Sequence, residues 1–212
     1  MPNLVVRVWL PDRPGALGLV ASRIGALGGD IVGVEVLERS ERIAVDEFAV
    51  VIDDPALLPL LVREIEEVDG ASVEEWRTVE RFPDARIDAL ASAEALCAAR
   101  APELFLVLAE QTLDEFDADW VAVVAEDAVL AAAGESVPGP SVLNALAAGT
   151  SASPAVFGGE AGPDDLAVAP LTGRAAVLLM SRSGHPFRRR ERQQLLALAR
   201  IADRIDAVGS GD

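Results

Sequence analysis

The chain has 212 residues, 51% of them hydrophobic, with one cysteine and a formal net charge of −17. That length holds one large domain or two small ones, with apolar content enough for a core. The acidic balance argues against nucleic-acid binding, no apolar run approaches the roughly 20 residues of a membrane span, and one cysteine excludes an internal disulfide. No basic stretch leads into an apolar one at the N-terminus, so no export signal is read and a cytoplasmic location is expected. All eighteen basic residues are Arg, and they are unevenly spread: none lies in 101–173, against twelve acids, while 174–212 holds eight Arg and four acids. The Arg, Ala, Gly and Val bias reads as the codon usage of a GC-rich bacterial genome.

Leu4–Leu10 alternates, with Leu4, Val6, Val8 and Leu10 on one face, and predicts a half-buried strand. Pro-Asp-Arg-Pro-Gly interrupts it. Leu17, Val20, Ile24 and Leu27 then recur at helical steps. Ile31–Glu38 and Arg42–Ile52 have strand character, with Ser40 and Glu41 at the turn between them. Pro55 opens a second helix bearing Leu57, Leu58, Leu61, Ile65 and Val68 on one side, with Asp53 as its expected cap. Asp69-Gly70 ends it, and Val73–Glu80 is the fourth strand. The order βαββαβ predicts a ferredoxin-like arrangement, two helices over one face of a four-stranded antiparallel sheet.

The DRPG loop between the first strand and helix has two readings. In one it binds a ligand. Pro14 sits in the first helical turn, Gly15 lets a ligand approach the backbone, and the first helix amides attract a carboxylate. Asp12 and Asp30 would then receive an ammonium, so that a zwitterion is held at both ends. In the other reading Asp12 caps the helix, Gly15 serves packing and Asp30 bonds its own turn.

The order βαββαβ, with DRPGAL (Asp12–Leu17) at the first strand–helix joint and GGDI (Gly28–Ile31) entering the second strand, resembles an ACT domain over roughly Leu4 to Glu80. The resemblance implies a small-molecule site, commonly for an amino acid, at an interface between two domains. It carries over to Asp12, Arg13, Pro14, Gly15, Ala16 and Leu17, and to Asp30 beside Ile31. The family often has Asn where Asp30 stands. An ionised Asp only accepts hydrogen bonds, so Asp30 favours an amino group.

Beyond this half, Arg86–Arg100 and Pro102–Phe116 read as helices, with Leu90, Ala93, Leu96 and Cys97 lining the first and Leu104, Leu108, Leu113 and Phe116 the second. Trp120–Ala125 and 128–136 form an expected strand pair around Glu126-Asp127. A short helix follows at Ser141–Ala148, and 149–163, rich in Gly, Ser and Pro, reads as loop. Leu166–Leu171 and Arg174–Arg182 are strands joined at Thr172-Gly173, and Phe187–Ala207 is a final helix with Leu195, Leu198, Ile201, Ala202 and Ile205 on one stripe. This order, and Ala169–Ile205 above all, resembles the end of a GAF domain, here in reduced form.

Other chemistry is thin. Cys97 and His185 are each single, and Cys97 falls on an apolar helix face, so neither a nucleophile–base pair nor a zinc site is expected. No phosphate-cradle motif is present. Arg188, Arg189, Arg190 and Arg192 crowd the start of the last helix, against its dipole, and are expected to pair with the acidic middle of the chain or with a partner.

The expected protein is therefore α+β: a ferredoxin-like ACT domain over residues 1–82, then a reduced GAF-like domain over 83–212. It is expected to be a non-catalytic homodimeric sensor without cofactor or metal, touching neither nucleic acid nor membrane. An amino acid would bind at Asp12–Leu17, Asp30 and Ile31 at the dimer interface, with the output passed to a protein partner. In the alternative, the second half binds an apolar or aromatic metabolite in a pocket lined by Trp120, Val142, Leu146, Phe157 and Leu178, and the first half only dimerises.

Overall fold

The computed structural model describes residues 3–126, 128–159 and 162–209. The chain divides into two compact units at Pro83/Asp84. Each has a four-stranded antiparallel sheet of its own, and together they make an α+β protein.

In the first unit the order is β1 (Asn3–Pro11), α1 (Ala16–Ala26), β2 (Asp30–Arg39), β3 (Ile43–Val51), α2 (Leu58–Glu66) and β4 (Ser72–Val79). The sheet runs β2-β3-β1-β4, which leaves β2 and β4 as edges. Leu4, Val6, Val8 and Leu10 of β1 and Phe48 and Val50 of β3 pack against Val20 and Ile24 of α1 and Leu61 and Ile65 of α2. The period-two face of the strand and the helical stripes thus meet in one core. Asp54, not Asp53, caps the turn before α2: its Oδ1 accepts the amide of Ala56 at 2.9 Å. The cap must stand next to the Pro55 that opens the turn, and Asp54 does.

In the second unit α3 (Ala85–Ala98), α4 (Leu104–Glu115) and α7 (Arg189–Gly209) cover one face of a sheet ordered β6-β5-β8-β7. Its strands are β5 (Trp120–Ala125), β6 (Ala128–Gly134), β7 (Leu166–Leu171) and β8 (Ala176–Ser181). The other face carries α5 (Pro140–Ser151) and the single turn α6 (Pro154–Phe157).

Three sequence expectations are corrected here. Leu90 and Cys97 are exposed on α3, and the inward positions are Ser92 and Leu96. The polar Ser92 fits inside because its hydroxyl donates to Glu115. The expected loop over 149–163 contains the end of α5 and the turn α6, since Thr150 and Ser151 bond back to the carbonyls of Leu146 and Ala147 and keep the helix closed. The last strand begins at Ala176, because Thr172–Arg174 forms a 3-10 turn bound to Asp203 on α7.

Candidate functional site

The β1–α1 loop is built by its prolines and glycine. Asp12 still bonds to the neighbouring strand loop, its amide donating to the Arg42 carbonyl at 2.9 Å. Arg13 to Ala16 then forms a turn, with Gly15 at φ 91 in the left-handed region that glycine enters freely. The helix proper starts at Ala16, one residue after Gly15, so Pro14 lies in the preceding turn and not in the helix. No side chain caps α1. A Cβ placed on Gly15 or Gly18 would meet nothing within 4 Å, so the space beside the helix start is open. Ala16 is buried and Leu17 is exposed. Arg13 reaches away from the loop to Asp69, 3.3 Å distant.

Asp12 does not cap the helix. Its Oδ2 lies 2.8 Å from Nε of Arg39 at the far end of β2, and this pair holds the guanidinium firmly protonated. The Arg39 side chain is otherwise largely exposed.

Asp30 is exposed and pairs with Val51, which itself pairs with Asn3 at the opposite end of β1. Nine strand steps at about 3.3 Å separate that end from Asp12, roughly 30 Å. Within one chain the loop and Asp30 therefore cannot hold the same amino acid, which corrects the expected pairing of Asp12 with Asp30. Ile31 beside it packs against the core. Gly29 admits this close α1–β2 junction, since a Cβ there would fall 2.8 Å from Ile24 Cγ2.

A second carboxylate, one the sequence reading passed over, does stand near the loop. Asp46 on β3 is 3% exposed, and its Oδ1 has no hydrogen-bond partner. It pairs with Val8 of β1 and Val36 of β2, on the face that α1 covers. Burial pushes its carboxyl above the usual carboxylate range; the charge of Asp12 adds to this and Arg39 opposes it. The signal was legible: Asp46 interrupts the inward series Ala44, Phe48 and Val50.

In the second unit Trp120, Leu146 and Phe157 do lie together on the α5–α6 face, with Ala122, Val124, Leu143 and Leu179. Leu178 points to the other side, among the α3–α4–α7 core, and Val142 is half exposed. Strand alternation is the reason, since Leu178 and Leu179 face opposite ways.

Arg192 of the arginine cluster and the nearby Arg182 act as structural clasps. Arg192 donates to the carbonyls of Leu166 and Pro163 at 2.8 and 2.5 Å. Arg182 donates to the carbonyls of Phe116, His185 and Pro186 and to Glu191, and its guanidinium lies 4.3 Å from the Phe187 ring centroid. Arg188 is buried, while Arg189 and Arg190 are exposed. Arg192 thus binds backbone carbonyls, which are invisible in the sequence. Among the described residues no three His, Cys, Asp or Glu are grouped so as to hold a metal ion, and no helix is long and apolar enough to cross a membrane.

No family model and no curated protein matches the chain. Among solved structures it is similar to the ACT domain from GTP pyrophosphokinase of Chlorobium tepidum, at 12% identity and a TM-score of 0.31, over 39% of this chain and 90% of that one. It is also similar to bacteriophytochrome RpBphP3 from R. palustris, at 13% identity and a TM-score of 0.44, over 84% of this chain. The match spans about half (48%) of the bacteriophytochrome.

Proposed function

We propose that this chain is a non-catalytic regulatory protein that binds an α-amino acid at the DRPG loop and passes its occupancy to a protein partner. The observation that carries this reading is the uncapped start of α1, opened by Gly15 at φ 91 with nothing within 4 Å of its missing side chain. Such a helix end offers unpaired amides and a partial positive charge to a carboxylate.

The same reading makes the protein a homodimer through β2. This edge strand exposes Val32, Val34 and Val36, at 52%, 44% and 45%. An unpaired edge with alternating valines is the kind of surface that a second copy covers. Two-fold antiparallel pairing about the middle of β2 brings the partner subunit's Asp30 level with Arg39, at the loop end. The two arms that lie apart in one chain would then meet across the pair. Ligand binding would tighten the dimer, a coupling between occupancy and assembly.

A thermal-shift screen of the twenty amino acids tests the site. A ligand at a hundred times its Kd adds about 2.7 kcal/mol, or roughly 5–10 °C in Tm for a chain of this size. A shift with one or a few amino acids, reduced in Asp30→Ala, is expected. A flat response to all twenty refutes the reading.

A further inference from the structure

We propose that Asp46 is the cation acceptor of the DRPG site, and that the ammonium of a bound amino acid lodges between Asp46 and Asp12 in place of the Arg39 guanidinium. The inference rests on the amino-acid reading above and deepens it, because it adds a third carboxylate, from outside the loop, to Asp12 and the partner subunit's Asp30 at the ammonium end of the ligand.

The register places Asp46 on the helix-covered face of β3, between Val8 and Val36. That row is three residues from the Pro11↔Ile43 pair, at the end of the sheet where the DRPG loop leads into α1. An uncapped helix start and a buried carboxylate therefore share one end of the unit. A carboxylate that is 3% exposed with an unpartnered Oδ1 costs stability and gives none back. Folding alone would be better served by an apolar residue at this position, like its inward neighbours Ala44 and Phe48.

The charged groups that face it are few. The β1–α1 loop contributes Asp12 and β2 contributes Arg39. On α1 the one charged residue is Arg23, which is held by Glu64 at 2.8 Å. On β1, Arg7 lies in the row of Glu47 and Glu75 and is bound to them, one residue out of phase with Val8 and so on the opposite face. Two carboxylates thus lie in the field of one guanidinium, and its hydrogen bond goes to Asp12, not to Asp46. A small cation between them would answer both. An α-amino acid with its carboxylate on the α1 amides brings a single ammonium to the carboxylates at this end of the sheet. A dicarboxylate or a nucleotide would bring negative charge to the same place.

The experiment is calorimetric titration of the full chain with each of the twenty amino acids, and with the N-acetyl derivative of any that binds. Expected are binding to the wild type, none by the N-acetyl form, at least about a tenfold weaker Kd in Asp46→Asn, and a tighter Kd in Arg39→Ala. The melting temperature of Asp46→Asn, at or above that of the wild type, separates lost binding from lost folding. In the wild type alone, affinity falls on acidification, and the fall begins at a higher pH than an ordinary carboxyl would give, because burial raises this one. Equal Kd values for the wild type and Asp46→Asn, or a flat pH profile, overturn the role of Asp46 and leave the amino-acid reading standing. Weaker binding in Arg39→Ala overturns the displacement. Binding by none of the twenty overturns the reading and this inference with it.

Discussion

Glu115 on α4 takes hydrogen bonds from Ser92 on α3 and Gln194 on α7, so one carboxylate ties three helices. Burial raises its carboxyl above the usual range; the two hydrogen bonds pull it down and Asp88 pushes it up again. A proton is therefore bound more tightly in the folded state than in the unfolded one. The contribution to stability is full below the ordinary carboxyl pKa and is lost as the pH rises through the raised value. Glu115→Gln cannot ionise and keeps one acceptor and one donor for its two neighbours. It is expected to melt a few degrees above the wild type at neutral pH, with the gap closing on acidification. A gap that does not change between neutral and acidic melts would refute this. Asp46 follows the same logic of burial against charge. Neither residue announces its environment by type, since Asp and Glu are mostly exposed residues in proteins. Asp46 was nevertheless legible from its inward place in an alternating strand, while Glu115 was not, because the residues that bury it come from distant helices.

Elements were legible where one strong period ran unbroken. The strand Leu4–Leu10 and the stripe of α7 are examples, and both cores are built on those faces. The reading failed where a residue's partner lay elsewhere in the fold. On α3 the spacing points the apolar Leu90 and Cys97 inward, yet a serine occupies that side because its hydroxyl reaches Glu115. The glycine-, serine- and proline-rich stretch after α5 hid a helix end whose hydroxyls satisfy the carbonyls of the preceding turn. At the end of β6, Gly134 pairs with Trp120 at φ 105, and a Cβ there would fall 2.3 Å from the Asp119 carbonyl oxygen. Backbone cannot yield as a flexible side chain would. Gly134→Ala is expected to cost about 3 kcal/mol or more, seen as a lower urea midpoint with an unchanged slope. A midpoint equal to that of the wild type would show that the strand pair relaxes around the added methyl.

At the scale of the whole molecule, each unit buries its own core beneath its own sheet, and among the described residues no strand pairing joins the two sheets. Fragments 1–83 and 84–212 are accordingly expected to fold alone, each with a cooperative thermal transition by circular dichroism; an unfolded fragment would contradict this. The sequence by itself determined the α+β class, the βαββαβ order and the place of the DRPG turn, because periodicity, proline and glycine act locally. Only the tertiary structure decided which groups meet. Antiparallel register put Asp30 at the far end of the sheet from Asp12 and brought Arg39 and Asp46 to the loop instead. It also gave Arg192 backbone-carbonyl partners that its charge does not announce. Proximity across strands depends on register, which sums every residue and turn in between and is written at no single position.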